Sequence, residues 1–333
     1  MEASRWIGRP ASDVALSVSW MPLALAGYLA EGSPRVLDLL VAGVMFLSFA
    51  HQPLTLPFVY GSPWRLASHR RLFLLSPLVV VVVVSVFSTV SPVLVAVVGG
   101  LWNAEHTLMQ RYGIMRIYGR RVGDSQARIE KVMVFVWFAV PLGFVIARHD
   151  VAHVVSQFGV VTVAGSAAKI LAGMSTEATI AFPLIVVAAA YLAVRWLMGE
   201  ARSGGANPGK WLYVASTAAL FAVALVDPTA GLVGFVGSHS IEYLVIVNRS
   251  IAGEARHPGR LGDLARLPSG RTRFFSVYLV AVSVLFIILY YLVPATLLLV
   301  VVLSIGALHF FYDSFIWKLR KPEVAASLVG SAA

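Results

Sequence analysis

Long apolar segments constrain this chain more than any other feature of its sequence. A helix that crosses a lipid bilayer needs about 20 predominantly apolar residues. Ten segments come close to that requirement: Val14–Ala30, Val36–Phe58, Leu72–Val90, Pro92–Tyr112, Val132–Ala147, Ile180–Met198, Trp211–Val226, Ala230–Val247, Phe274–Leu292 and Val293–Trp317. The sequence therefore predicts an all-α, polytopic integral membrane bundle with about ten transmembrane helices.

The composition supports this class and excludes others. Hydrophobic residues make up 59% of the 333 residues and charged residues 13%, whereas soluble proteins have roughly 45–50% and about 25%. A disordered chain, a coiled coil and a typical soluble enzyme are excluded. The absence of cysteine excludes disulfides, thiolate metal sites and cysteine nucleophiles. In a membrane protein, a net charge of +10 indicates loops that face anionic lipid headgroups, and we expect no nucleic-acid partner.

The segments form one predicted domain over residues 1–333. Proline ends or opens helices at Ser91-Pro92, Asp227-Pro228 and Pro294, which predicts tight returns between neighbouring spans. Residues 150–179 are only moderately apolar and include Lys169 and Glu177. We interpret them as an interfacial or re-entrant segment.

The basic residues predict the orientation. With the amino terminus inside the cell, the outer segments hold Arg35, Arg148 and Lys169, and the inner segments hold the other 23 of the 26 Lys and Arg residues. Cytoplasmic loops are enriched in Lys and Arg. The pattern therefore predicts a multi-pass cell-membrane protein with both termini in the cytoplasm.

Polar and ionisable side chains within the predicted spans are few and clustered. An ionisable group at the centre of a span costs at least about 2.5–3.5 kcal/mol, so such groups are candidates for function. They lie in four even-numbered spans, all running from outside to inside: His51 and Gln52; Asn103, Glu105, His106 and Gln110; His239, Glu242 and Tyr243; and His309 and Asp313.

One histidine of each of these spans lies six to eight residues before the inner end of the span. At 1.5 Å per residue these offsets differ by about 3 Å, so the four imidazoles are expected at one depth, in the cytoplasmic half of the bilayer. Imidazole is the commonest metal ligand in proteins. His239 and Glu242 are spaced i, i+3, and His309 and Asp313 are spaced i, i+4, so each pair shares a helix face.

The residue types indicate a metal centre. The predicted ligands are His51, His106, His239, His309, Glu242 and Asp313. Mixed imidazole and carboxylate ligands favour iron, with zinc or manganese as alternatives. The pattern is compatible with either one or two iron ions. The zinc-protease signature H-E-x-x-H is absent. Glu105, Glu242, Asp313 and Tyr243 are the candidate catalytic groups.

Four motifs carry a resemblance to a known family. They are Phe49-Ala50-His51, Glu105-His106, His239-Ser240-Ile241-Glu242-Tyr243 and His309-Phe310-Phe311-Tyr312-Asp313. The chain resembles the bacterial β-carotene-cleaving dioxygenases of the Brp/Blh family. That resemblance implies that His51, His106, His239 and His309 are iron ligands. Tyr243 stands where the family has a second histidine.

A metal site within a bilayer favours a substrate already dissolved there. We expect a membrane-embedded non-haem iron oxygenase acting on a lipophilic substrate such as a carotenoid, an isoprenoid or an acyl chain, with an electron-donor protein as a further candidate partner. A metal- or proton-coupled transporter using the same cluster stays open, as does a structural or sensor protein.

The charge distribution can be tested with reporter fusions along the chain. Fusions after Arg121 and after Arg266 should report a cytoplasmic location, and a fusion after Pro92 should report the opposite side, because the inner segments carry most of the basic residues. A cytoplasmic signal at Pro92 would overturn the ten-span topology.

Overall fold

The computed structural model describes residues 5–148, 151, 153–154, 169–203, 207–319, 321, 324 and 328. Within these ranges all regular secondary structure is helical and no strand occurs. The helices are α1 (Pro10–Ser17), α2 (Trp20–Ala30), α3 (Pro34–His51), α4 (Thr55–Tyr60), α5 (Pro63–Ser68), α6 (Arg70–Val90), α7 (Pro92–Arg120), α8 (Ala127–Ala147), α9 (Ser175–Ser203), α10 (Pro208–Val226), α11 (Pro228–Glu254), α12 (Arg260–Arg266), α13 (Gly270–Leu292) and α14 (Ala295–Ile316).

Nine helical segments among the described residues are long and apolar enough to cross a membrane. Two of them combine consecutive helices, α1 with α2 and α3 with α4. The protein is therefore a multi-pass membrane protein, as the sequence predicts. The tenth predicted span is α7, which is 29 residues long. It is less apolar than the other nine because Asn103, Glu105 and His106 lie in its middle.

Proline defines many of the helix ends. Six helices, α1, α3, α5, α7, α10 and α11, begin at a proline, which suits the first helical position because its missing N–H would have no partner there. The predicted returns are confirmed: Ser91 and Asp227 each separate two helices by a single residue, and Pro294 precedes α14. Asn207 caps α10 by accepting the backbone N–H groups of Gly209 and Lys210.

The predicted interfacial segment falls largely outside the described residues. Only its end is described in continuous form, and there residues 175–179 form the first turn of α9. The helix therefore begins five residues before the predicted start of the span at Ile180.

The chain divides into two compact units, each built from separate stretches of sequence. The first comprises residues 1–45 and 107–241, and the second comprises residues 46–106 and 242–333. The boundaries pass through the continuous helices α3, α7 and α11. In the first unit α8 packs against α9 and α10, and α10 also contacts α1 and α2. In the second unit α14 packs against α4 and α6, α5 against α4 and α6, and α12 against α13.

A buried ionic cluster holds the first unit together. The ammonium group of Lys210 in α10 lies 2.5 Å from an oxygen of Asp124, 2.6 Å from one of Glu130 and 2.5 Å from one of Glu200. The guanidinium of Arg116 adds contacts of 2.8 Å to Asp124 and 2.7 Å to Glu130. The cluster therefore joins α7, the loop after it, α8, α9 and α10.

The cluster favours the charged form of Asp124. Burial raises the pKa of the Asp124 carboxyl, but hydrogen bonds from Lys210 and from the amide of Gln126 outweigh burial and lower the pKa from 3.8 to about 2. A carboxyl with a lowered folded-state pKa stabilises the fold above its unfolded pKa. This contribution is present at neutral pH and is lost as the pH falls through about 2.

In the second unit, two tyrosines compensate for a proline inside α6. Pro77 has no N–H to donate to the carbonyl of Phe73, one turn earlier in the helix. The Tyr60 and Tyr312 hydroxyls both donate to that carbonyl, at 2.7 and 2.8 Å. The otherwise unpaired backbone oxygen thus fixes α4 and α14 against α6.

A second buried ion pair fixes the end of α11 to the segment around α5. Glu254 accepts hydrogen bonds from Ser62 at 2.5 Å, Trp64 at 3.0 Å and Arg65 at 2.9 Å. The Arg65 guanidinium also lies over the Phe58 ring, 4.1 Å from its centroid. Both charged side chains are 3% exposed, so Arg65 is bonded within the protein and does not face the lipid headgroups.

The ionic cluster predicts a strong dependence on Lys210. Lys210→Met should destabilise the protein by about 3–5 kcal/mol, because it leaves three buried carboxylates with one cation fewer. The measurement is reversible unfolding of the full-length protein in mixed detergent micelles. Lys131→Met is the matched control, since Lys131 is exposed and its replacement should change stability by no more than about 0.5 kcal/mol. Equal unfolding midpoints for the two variants would contradict the role of the cluster.

Candidate metal centre

The four predicted histidines come together in the structure. His51, His106, His239 and His309 each offer a ring nitrogen, and these nitrogens all lie within 4.8 Å of one another. None of the four residues is more than 8% exposed. The structure therefore brings together the four histidines expected at one depth, and this group does not include the predicted ligands Glu242 and Asp313.

Each histidine is positioned by a different helix. His51 is the last residue of α3, which ends there because Pro53 interrupts the helix before α4. His106 lies in the middle of α7, and His309 lies in the second half of α14. His239 stands in α11, which continues unbroken into the second unit and there carries Glu242 and Tyr243.

Two of the imidazoles are in direct contact. His309 Nε2 and His106 Nε2 are 3.1 Å apart. The Asp313 Oδ2 atom lies 3.8 Å from each of these two nitrogens. The carboxylate of Asp313 therefore lies beside the imidazole pair, as its i, i+4 spacing from His309 predicts.

The other ring nitrogen of His309 belongs to a polar network. His309 Nδ1 is 2.7 Å from Thr55 Oγ1, and that hydroxyl is 2.8 Å from the hydroxyl of Tyr243. Tyr243 donates to Asp313 Oδ1 at 3.0 Å, and Thr55 reaches the same oxygen at 3.3 Å. Thr55, Tyr243 and Asp313 are all buried. The network thus binds Nδ1 of His309, the ring nitrogen that does not contact His106.

The predicted acids occupy different environments. Glu242 is 1% exposed and Asp313 is 7% exposed. Glu105 is exposed, whereas the next residue, His106, is buried, because consecutive residues of a helix point about 100° apart. The structure therefore does not bring Glu105 to the imidazoles.

Aromatic rings cover one side of the imidazole pair. The Phe310 ring stacks on the His106 ring, with centroids 4.7 Å apart and planes 29° apart. Trp102 meets Phe310 edge-on at 5.5 Å and is 38% exposed. The three rings form a continuous aromatic path from the surface of the second unit to His106.

Sequence patterns missed two features of the polar interior. Thr55 follows a helix-breaking proline and carries no charge, so only its position four residues after His51 could have drawn attention to it. The acids Asp124, Glu130 and Glu200 also come within 4.8 Å of one another. Lys210 already provides a cation for these three carboxylates, so they are an ion-pair cluster.

The chemistry of the four-histidine group follows from its donors. Several imidazole nitrogens and no thiolate suit iron, zinc or another transition metal, and the adjacent carboxylate can orient an imidazole through a hydrogen bond. The residues present therefore fit a bound divalent transition metal. No protein-family model, curated protein or solved structure matches the chain.

Histidine variants test whether this group binds metal. Purified full-length protein should contain close to one equivalent of iron, with zinc as a substitute after overexpression. His106→Ala and His309→Ala should each lower the metal content strongly, because each removes a buried nitrogen donor. His153→Ala is the control, since His153 is exposed and lies outside the group. Loss of metal in His153→Ala, together with full metal content in His106→Ala, would show that the proposed metal ligands are the wrong residues.

Proposed function

We propose that the protein is a membrane-embedded, non-haem iron oxygenase that acts on a lipophilic substrate. The observation that carries this proposal is the group of four buried histidines, whose ring nitrogens lie within 4.8 Å of one another inside a multi-pass helical protein. The four-histidine motifs that resemble the Brp/Blh dioxygenases support the same class of reaction.

The four histidines would hold the metal. When bound, ferrous iron supplies the one-electron chemistry that O₂ activation requires. The protein contributes the ligands and a buried environment. Each imidazole is at most 8% exposed, so bulk water has little access to the ring nitrogens. Exclusion of water protects reactive species from hydrolysis and strengthens electrostatic interactions.

The neighbouring polar residues would position and hold protons. Tyr243 donates its hydroxyl proton to Asp313 Oδ1 at 3.0 Å, and both residues are buried beside His309. These two groups are the ones we propose to act on the reaction in addition to the ligands. Glu242, buried one helical turn after His239, is the proposed additional ligand or imidazole partner.

The aromatic path supports a flat, apolar substrate. Trp102 is 38% exposed and Phe310 connects it to the His106 ring. A conjugated or isoprenoid chain dissolved in the bilayer could approach along these rings, since aromatic faces pack well against such groups. Carotenoids, isoprenoids and acyl chains are the proposed substrates. An electron-donor protein is a proposed partner.

The placement in the membrane is part of the proposal. The distribution of basic residues supports a cell-membrane protein with both termini in the cytoplasm and the histidines in the cytoplasmic half of the bilayer. Anionic headgroups would contact the exposed basic residues of the inner loops, among them Arg70, Arg71, Arg256, Arg271 and Arg273. Arg116 and Lys210 bind acids within the protein instead.

Oxygen consumption tests the proposed reaction and the role of the acids. Iron-loaded protein in detergent should consume O₂ when a carotenoid or isoprenoid substrate is added. Asp313→Asn should retain some iron and lose most activity, because the loss of an imidazole partner typically costs 10–100-fold. Glu242→Gln should lower both iron content and activity further, because it removes a proposed ligand.

Two outcomes would contradict this assignment. Full iron content and full turnover in both amide variants would remove the acids from the mechanism and leave the histidines as the whole site. Metal-dependent ion flux through protein in sealed vesicles, without O₂ consumption, would identify a transporter instead.

A further inference from the structure

We propose that two copies of the chain associate in the membrane, with Glu105 of each copy paired to Arg195 of the other. Glu105 is a predicted catalytic group that the structure leaves exposed and does not bring to the imidazoles. The inference goes beyond the proposed metal function and does not depend on it. It is carried by two exposed charged residues and by the apolar stripes that contain them.

The position of His106 fixes the depth of Glu105, the residue before it in α7. His106 Nε2 lies 3.1 Å from His309 Nε2, and His309 belongs to a segment, Thr296–Ile316, that is long and apolar enough to cross a membrane. The end of that segment lies about 10 Å beyond His309. Glu105 therefore lies at the depth of a membrane-spanning helix, with its side chain exposed. An ionisable group at such a depth is costly unless it faces a partner.

Arg195 in α9 is the complementary basic residue. Among the residues that the structure describes, Glu105 and Arg195 are the two exposed charged residues that lie more than two turns from either end of their helix. Neither has an ion-pair partner in the described part of the chain. The Arg195 guanidinium lies 6.0 Å from the centroid of the Tyr191 ring, one turn earlier in α9. Each copy thus presents one acid and one base that a second copy complements.

Both charged residues lie on the same side of the buried ionic cluster. Arg116 and Glu200 bring α7 and α9 to this cluster near the carboxyl ends of the two helices. At 1.5 Å per residue, Glu105 lies about 16 Å before Arg116, and Arg195 lies about 8 Å before Glu200. The long side chain of arginine can bridge the difference in depth between the acid and the base.

Each charged residue belongs to an exposed apolar stripe. The stripes contain Leu94, Val98 and Leu101 in α7, and Leu184 and Tyr191 in α9. Spacings of four, seven and eleven residues place these side chains on the same helix face as Glu105 or Arg195. Helix association in lipid is driven by van der Waals packing together with polar contacts. The two stripes therefore offer both contributions to an interface.

Two-fold symmetry doubles the contact. In a symmetric dimer the same surface is used by both copies, so Glu105 of one copy meets the partner's Arg195 and the reverse contact forms as well. Trp102 lies between the α7 stripe and the face of His106, because each residue of a helix is rotated by about 100° from the last. The proposed interface and the aromatic path to His106 therefore use different faces of α7.

The experiment reverses the two charges in full-length protein reconstituted in liposomes of phosphatidylcholine and phosphatidylglycerol. The forms are wild type, Glu105→Arg, Arg195→Glu, the double variant with both reversals, and Lys131→Glu. Lys131 is exposed in α8 and lies outside both stripes, so its reversal is the matched control. Single-molecule photobleaching of one fluorophore per chain counts the subunits at several protein-to-lipid ratios.

Wild type and Lys131→Glu should form dimers with equal affinity. Each single reversal should weaken dimerisation by at least about 30-fold, because it places like charges at both symmetric contacts. The double variant should recover most of the wild-type affinity, since the pairs form again with their charges exchanged. Wild type that stays monomeric at every ratio would overturn the inference. Wild-type affinity in both single reversals, or a folded double variant that stays monomeric, would also overturn it.

Disulfide cross-linking tests the same interface with both charges intact. The chain has no cysteine, so Leu101→Cys combined with Leu184→Cys introduces the only thiols. These positions lie about 22 Å before Arg116 and about 24 Å before Glu200, so their depths match. Oxidation in liposomes should give a covalent dimer. Leu101→Cys combined with Val280→Cys, an exposed position of α13, is the control. An equal yield of dimer from this control, or from Leu101→Cys alone, would contradict the contact between α7 and α9.

Discussion

A polar group that leaves water must find a partner within the protein, and this constraint organises both units of the chain. The cost is highest for charges, which explains why Lys210 contacts three carboxylates and why Glu254 accepts three hydrogen bonds. In a protein whose surface is largely apolar, such contacts also fix which helices are neighbours. The apolar faces alone pack with little directional preference.

The same constraint acts on the backbone wherever proline interrupts a helix. In α6 the carbonyl that Pro77 leaves without a partner is bound by two tyrosine hydroxyls from other helices. Between α3 and α4 the interruption at Pro53 has another consequence, because it brings the Thr55 hydroxyl to His309. A proline that interrupts a helix therefore also leads to contacts between segments that are far apart in sequence.

The two polar clusters differ in what their composition allows. In the first unit, carboxylates are matched by Lys210 and Arg116, so the acids are neutralised by the protein itself. The second cluster contains imidazoles beside the carboxylate of Asp313. His106 and His309 contact each other through their Nε2 atoms. Imidazole nitrogens gathered in this way are the donors that transition metals prefer. This difference in donor type is why the proposed metal site lies at the histidines and not at the carboxylates of the first unit.

The sequence by itself determined the helical membrane class, the approximate positions of the long helices and which four histidines come together. Hydropathy and proline determine helix positions locally along the chain. The expected depth of a side chain in the bilayer follows from its distance in residues from the end of the span, because the rise per residue of a helix is constant. Only the tertiary structure decided that Glu105 is exposed, that Thr55 contacts His309 and that Lys210 is shared by three acids. These features depend on the rotation of each helix about its axis and on contacts between residues far apart in sequence. The apolar pattern of a single helix specifies neither its rotation nor these contacts, because lipid and protein neighbours are equally apolar.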